Sequence, residues 1–600
     1  MPVKAQTQCQ GDNPIQEENC LQGTADWQIP LTPGKNPPFP SGNDGHEVEG
    51  YSNKVSVTAG EQIRFHLSSR AGTQTIRIDI YRLGYYSGLG ARFITTKDVT
   101  GVEPGPLPTP DLTAGRPAEN AGMGLAECNW PSQTNAYWDV PSTATSGIYL
   151  AKLTGLTYQY QSYISFAVRR DDLNSDLLFQ QSVTVYQAYN DYPGAVFTPY
   201  SDSRNGKSLY GSPGATIAGS TQARKVSFNR PYIGYSPFTI YESAGLGFFN
   251  FEYPLIRWLE KKGFDVTYAT DIDTHNDSPT SPSLLAAGKH KALLSNGHDE
   301  YWSWEMRNNV ERARDRTSQP LNLGFFGGNI SYWQIRLTNS NSTGTQPANA
   351  ANRTIVCYKE NYGVPDNQDP YYYDANHALH YKTSFWWRDQ QILKPAGTSF
   401  YPASVYFQPE DEMLGIMTIR SGGDDEHPGS VHFNPIFGGG SNNFVLNTEI
   451  TLPSWLTNGT VGQTMTNMIG YESDELYPNH YSGTNAYTNR TLTIIGSSPF
   501  YATRPSNGIN STCSCGDPDG CSCVSYNLGN AETTFYRKTD SGAKVFAASG
   551  QQWSWGLDNW GANSDVGLPT VRPSSATADA SKITENVINC LINQVSACNQ

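Results

Sequence analysis

The sequence predicts an α/β protein: an N-terminal antiparallel β-sandwich followed by a mostly parallel-sheet α/β domain with large loop insertions. The first observation is a run of short alternating segments between residues 47 and 172, among them KVSVTAG, QIRFHLSS, TIRIDIYRLG, GIYLAKLTG and YQSYISFAVRR, parted by Gly, Pro and Ser turns. Apolar residues at alternate positions suit strands with one buried face, and turns at this cadence suit an antiparallel sandwich. The second is a change of character after VRRDDLNSD, where strand and helix signals alternate, as parallel strands covered by helices require. The third is length, since 600 residues exceed what a single hydrophobic core organises. These readings divide the chain into an extended segment 1–46, a sandwich 47–172 and an α/β domain 173–600 with an insertion at about 338–465.

Within the α/β part, LLFQQSVTVYQAYND reads as a buried strand, EYPLIRWLEKKG as an amphipathic helix closed by glycine, and DVTYATD as a strand. KALLSNG is a further strand, SWEMRNNVERARDR a helix with Ser303 as its N-cap, and LNLGFFGGN another strand. Residues 338–465, rich in Asn, Pro, Gly, Tyr and Trp, show little periodicity and read as an elaboration over the core. RTLTIIGSS, TTFYRKTDSG and AKVFAASGQQWSWGLD predict more strands, and ASKITENVINCLINQVSA a closing helix. In open α/β sheets the functional crevice lies beyond the carboxyl ends of the strands. His298, Asp299 and Glu300 follow one such end directly, as Gly327, Gly328 and Asn329 follow the next.

Composition narrows the function classes. The chain is 37% hydrophobic and 16% charged, which suits a loop-rich globular protein and not a disordered one. A net charge of -14 without a Lys/Arg cluster argues against a nucleic-acid groove or an anionic-membrane surface, both of which need concentrated positive charge. No stretch of about 18 apolar residues is present, so no membrane-spanning helix is expected. Ten cysteines and the sequons at Asn276, Asn329, Asn341, Asn352, Asn458, Asn489 and Asn510 predict a secreted glycoprotein. MPVKAQTQCQGDNPIQEENC lacks the apolar core of a signal peptide, so the expected leader lies outside this sequence. Cys9 and Cys20, Cys590 and Cys598, and the CSCGDPDGCSC cluster fall in polar or terminal segments that disulfides would pin. Cys513, Cys515, Cys521 and Cys523 could alternatively bind zinc, but their C-x-C spacing favours disulfides.

The strongest chemical signal is GHDEYWSWEMR, because His298 and Glu300, two apart on extended chain, can face one crevice. Tyr186, Tyr189 and Tyr192 of VTVYQAYND and Tyr232 of KVSFNRPY are further candidates. Glu472 in MIGYESDE could reach the same crevice, whereas Glu410 and Glu412 could equally face solvent. No G-x-S-x-G elbow, H-E-x-x-H helix or dinucleotide fingerprint occurs, so the serine-hydrolase, zincin and nicotinamide readings lack their signatures.

The stretches SVTVYQAYN, KVSFNRPY, FEYPLIRWLEKKGFDVTY, SNGHDEYWSWEMRNNVERARD, LGFFGGNISYWQIR, RTIVCYK, IGYESDE and VFAASGQQWSWGLD resemble the C-terminal domain of the N,N-dimethylformamidase large subunit and its secreted relatives. The likeness spans about residues 175 to 570, and the sandwich, with IDIYRLGYYSGLGAR and CNWPS, is like a domain these relatives often carry. The resemblance implies a mononuclear, ferric iron held by Tyr189, with Tyr186 as the alternative, together with Tyr232 and Glu300. It also implies chemistry served by His298, Asn329 and Glu472. Two phenolates and a carboxylate are hard oxygen donors suited to Fe(III), which would drive deprotonation of tyrosines whose free pKa is about 10. The resembled enzyme has a small partner subunit with no counterpart within this chain, and self-association as an oligomer is left open. The expectation is an exported amidohydrolase acting on a small-molecule amide. The competing expectation is an extracellular matrix or glycan-binding protein, with Phe385, Trp386 and Trp387 stacking on sugars and the site inert.

Overall fold

A computed structural model of the chain describes residues 11–29, 47–110, 122–193, 208–209, 223–232, 245, 247–279, 283–340, 350–358, 369–371, 379–384, 387, 408–420, 443–470, 473–476, 487–505, 523–562 and 573–599. The chain divides into two compact units, Met1–Leu284 with Leu337–Cys357 and Asn563–Val571, and Leu285–Arg336 with Tyr358–Ala562 and Arg572–Gln600.

The first unit opens with helix α1 (Pro14–Asn19) and continues through β1 (Glu49–Ser52), β2 (Ser56–Thr58), β3 (Gln62–Ser68), β4 (Gln74–Leu83), β5 (Ala91–Val102), β6 (Tyr137–Asp139), β7 (Gly147–Gly155) and β8 (Gln161–Arg169). These strands form two sheets, β1-β3-β6 and β2-β8-β7-β4-β5, in which all pairs are antiparallel except β2 with β8. Alternate residues on facing strands, Ile63, Phe65 and Leu67 on β3 and Ile76, Ile78 and Ile80 on β4, enter one apolar cluster shared by both sheets. Each such side chain, fully buried, stabilises the fold by about 1.5–3 kcal/mol.

Beyond β8 come β9 (Ser175–Gln181), α2 (Val183–Ala188), β10 (Lys225–Ser227), α3 (Tyr253–Lys262), β11 (Val266–Thr270) and α4 (Asp271–Asn276). β9 and β11 pair in parallel, and β10 pairs antiparallel with β16 (Thr354–Val356). As expected, α3 ends on a glycine, Gly263, at φ 73°. Its carbonyl accepts from Asn13 Nδ2 and Gln16 Nε2 at 2.9 Å each, tying α1 to α3. Arg82 on β4 meets Glu260 on α3 through two hydrogen bonds, 2.8 and 3.0 Å long, and neither side chain is exposed.

The expected strand LLFQQSVTVYQAYND stops at Gln181, and VTVYQA is helical. Its β-branched residues favour strand locally. The tertiary fold overrides that preference, because Asp271 Oδ2 accepts from the N–H and the hydroxyl of Thr184, at 2.8 and 2.6 Å, in the first turn of α2. A carboxylate at a helix N-terminus satisfies an orphan donor and complements the macrodipole.

In the second unit the strands are β12 (His290–Gly297), β13 (Tyr301–Ser303), β14 (Asn322–Gly327), β15 (Trp333–Thr338), β17 (Met417–Arg420), β18 (Phe444–Leu446), β19 (Thr464–Met465), β20 (Ser473–Glu475), β21 (Arg490–Pro505), β22 (Cys523–Lys538) and β23 (Lys544–Ala547). The helices are α5 (Trp304–Asp315), α6 (Glu410–Leu414), α7 (Ser454–Thr457) and α8 (Ala578–Leu591). The order β12-β14-β23-β22-β21-β18-β19 is parallel over its first two pairings and antiparallel beyond them. The sheet is thus mixed where the sequence reading expects it mostly parallel. The connection 539–543 explains part of this, since so short a link between β22 and β23 cannot make the crossover that parallel strands need. Ser303 caps α5 as expected, its Oγ accepting from the Met306 N–H at 3.1 Å.

A disulfide joins Cys590 to Cys598, and Cys20 is also disulfide-bonded, whereas Cys128 and Cys357 are buried thiols. Cys9, Cys513, Cys515 and Cys521 lie outside the described residues. Among the described residues no helix is long and apolar enough to cross a membrane.

Two outcomes are expected. Arg82→Ala leaves the Glu260 carboxylate buried without its counter-charge and should cost about 3–5 kcal/mol, read as a fall in the denaturant midpoint. His66, stacked on Tyr51 and 3.2 Å from the Trp130 carbonyl, is driven down to about 4 by burial. The unfolded imidazole takes a proton first, so this contribution is whole above the unfolded value of 6.5 and is lost as pH falls toward 4. Melting temperature should decline over that window, by about 3 kcal/mol in stability from this group, and His66→Gln should flatten the slope.

Candidate functional site

In the second unit, loops that follow parallel strands are brought together. β12 and β14 run in register, Gly297 opposite Gly327. A Cβ on Gly327 would lie 2.2 Å from the Gly297 carbonyl oxygen, so only glycine admits this approach. The two loops then stay joined. Gly328 N–H donates to Gly297 O at 3.2 Å, Ser331 N–H to Asp299 O at 2.8 Å and Trp333 N–H to Glu300 O at 2.9 Å. Asn329 and Ser331 both adopt φ 56°, a left-handed conformation that non-glycine residues enter at a cost.

These contacts set the side chains. His298 Nε2 lies 3.0 Å from Glu300 Oε2, with the Glu300 side chain buried and that of His298 16% exposed, so the ring is the more accessible member of the pair. Asp299 is buried, its Oδ2 accepting from Ser295 Oγ at 2.7 Å. Asn329 is buried, and its backbone N–H donates to both carboxylate oxygens of Asp474, at 3.0 and 3.1 Å. The third loop, after β23, joins the assembly because Ala548 N–H donates to Phe325 O at 2.9 Å and Gln551 N–H to Gly470 O at 3.2 Å. The His298–Glu300 pair and the Asn329 loop therefore stand together at the carboxyl ends of β12 and β14, and an imidazole beside a carboxylate is a pair able to transfer protons.

Tyr186, Tyr189 and Tyr232 belong to the first unit. Tyr186 is buried on α2 and its ring meets that of Tyr232 edge to face, centroids 5.8 Å apart. Its hydroxyl donates to Glu252 Oε1 at 2.5 Å, and Gly245, at φ 123°, leaves room for the ring. Burial, then the Glu252 charge, raises the Tyr186 phenol well above the ordinary range, and burial also raises Tyr232. Tyr189 is the C-cap of α2, half-buried. Tyr192 donates to Glu49 Oε1 at 2.9 Å. Of the two tyrosines open to choice, Tyr186 has its ring against Tyr232. Asn190 Nδ2, donating to Pro231 O at 2.8 Å, holds the two segments together.

Glu472 lies outside the described residues, as do Phe385 and Trp386. Trp387, proposed above as a sugar platform, is buried, stacked on Trp304 at 6.3 Å and covered by Arg307, so it offers no exposed face. Glu410 is buried rather than solvent-facing, and Glu412 is half-buried with its pKa raised, chiefly by burial. The sequence reading missed Asp474 and Glu252. The first was signalled only as a second acid in ESDE, the second as the residue closing the π-helical turn Phe248–Glu252. Among the described residues no three His, Cys, Asp or Glu side chains converge as a metal site; two tyrosines with one carboxylate would not form such a group.

The fold is a mixed-sheet arrangement compatible with an α/β protein, with the His298–Glu300 and Asn329 loops joined at the strand ends. The family described as N,N-dimethylformamidase beta subunit-like, C-terminal, matches residues 77–565, and the chain belongs to that family. The match reaches further toward the N-terminus than the motif likeness, into β4. No curated protein matches the chain.

Because the Thr184 contacts form the first turn of α2, Asp271→Ala should cost about 1–2 kcal/mol. Hydrogen exchange should rise across residues 183–189 while β7 and β8 stay protected.

Proposed function

We propose that the chain is an exported, metal-dependent amidohydrolase that cleaves the C–N bond of a small amide. The observation that carries this reading is the joining of the His298–Glu300 and Asn329 loops at the strand ends of a chain in this family. Export is supported by the Cys590–Cys598 disulfide and the bonded Cys20, since disulfides persist in oxidising compartments.

The residues that would hold the metal are Glu300, Tyr232 and a second phenol of YQAYN, either Tyr189 or the Tyr186 that lies against Tyr232. The donor chemistry fits: all are hard oxygens, and buried phenols become phenolates only beside a cation. Bound there, ferric iron would supply Lewis-acid polarisation of an amide carbonyl. The protein's own groups divide the remaining work. His298 and the Asn329 side chain would donate to the developing oxyanion; the Asn329 backbone N–H is already engaged by Asp474. Glu472 would take the proton of the attacking water and return it to the amine nitrogen as the C–N bond breaks.

The test is direct. Protein titrated with Fe(III) should develop a visible tyrosinate-to-iron band, Tyr232→Phe should abolish it, and comparison of Tyr186→Phe with Tyr189→Phe should identify the second phenolate. Amine release from N,N-dimethylformamide and simpler amides should accompany the band. A colourless protein that releases no amine would overturn the proposal.

A further inference from the structure

We infer that Asp474 is a positioning residue for the candidate site, clamping the Asn329 loop through its carboxylate; the inference rests on the hydrolase reading above. Three observations lead to it. Asn329, at φ 56°, is a non-glycine residue in a left-handed conformation, and such residues persist only where their surroundings over-determine them. Here its single N–H is shared between both oxygens of a carboxylate that is 1% exposed. Two acceptor oxygens converge on this one N–H, more acceptor capacity than satisfying it requires.

The segment bearing Asp474 is itself held from the other side. Its N–H donates to Ser549 O at 3.1 Å, in the loop after β23, and Gly470 O accepts from Gln551 at 3.2 Å. β20, which contains Asp474, pairs with β17, Met417 opposite Glu475. Asp474 thereby joins two loops, its carboxylate holding the Asn329 N–H and its own backbone N–H holding Ser549 in the loop after the third parallel strand. Misplacement of reacting groups by even 1 Å can cost about a hundred-fold in rate, so this link sets turnover more than affinity.

The experiment compares Asp474→Ala and Asp474→Asn with wild type, using N,N-dimethylformamide and formamide as substrates and hydrogen exchange over residues 326–333. Asp474→Ala should lower kcat by roughly ten- to a hundred-fold with KM changed less than about threefold, and should increase exchange in that loop. Asp474→Asn, which keeps an acceptor oxygen and loses the charge, should recover part of both. Wild-type kcat in Asp474→Ala, or unchanged exchange, overturns the inference. So does an equal loss in both variants that tracks melting temperature, the mark of a merely structural role. If Asp474→Ala does not fold, Asp474→Asn decides alone: a drop of about tenfold in kcat on an intact fold supports the clamp, and unchanged kcat overturns it. A wild-type protein that hydrolyses no amide sinks the hydrolase reading instead, and the exchange comparison then decides whether Asp474 holds the Asn329 loop.

Discussion

Gly327 lies so close to the Gly297 carbonyl that no side chain fits between them, and the joined loops of the candidate site depend on that approach. With the backbones in contact at the ends of β12 and β14, the following residues have no freedom to diverge. The N–H groups of 328, 331 and 333 are spent on the carbonyls of 297, 299 and 300. A loop pair joined by backbone bonds presents its side chains from a rigid base, which catalytic geometry requires. The left-handed backbone of Asn329 and Ser331 is the local cost, offset by those bonds and by the Asp474 carboxylate.

The first unit solves a different problem, the burial of charge. Arg82 and Glu260 are both withdrawn from water, which is tolerable only because each meets the other through two hydrogen bonds and Tyr268 donates a further one to Glu260 at 2.8 Å. Asp271 is likewise buried and is compensated at the N-terminus of α2. The Tyr186 hydroxyl on Glu252 belongs to the same pattern of buried polar groups in matched pairs. Many such pairings are long-range, Arg92 with Glu18 at 74 positions, Arg82 with Glu260 at 178 and Ser56 with Asp273 at 217, so they bind distant parts of the sequence into one unit.

Much of the fold was legible because it follows from periodicity and end signals. α3 with its Gly263 stop, α5 with its Ser303 cap, β12, β14 and α8 all stand where apolar spacing and capping residues place them. Two readings failed for non-local reasons. The helix over VTVYQA exists because of a carboxylate from Asp271, 87 residues from Thr184, and the antiparallel half of the sheet depends on pairings that no single strand encodes.

The candidate site divides along the same line. His298, Glu300 and Asn329 could be named from sequence, because strand-end position and residue chemistry are both local properties. So was the tyrosine class, though not the choice between Tyr186 and Tyr189. That choice turns on α2 being a helix, whose side chains advance by about 100° per residue where a strand alternates. Asp474 was beyond reach, since its role exists only through the Asn329 N–H 145 residues away. The sequence by itself determined most of the element types and the family motifs. Only the tertiary structure decided that VTVYQA is a helix, which carboxylate meets the Asn329 N–H and which aromatics are core, because those depend on contacts between residues far apart in the chain.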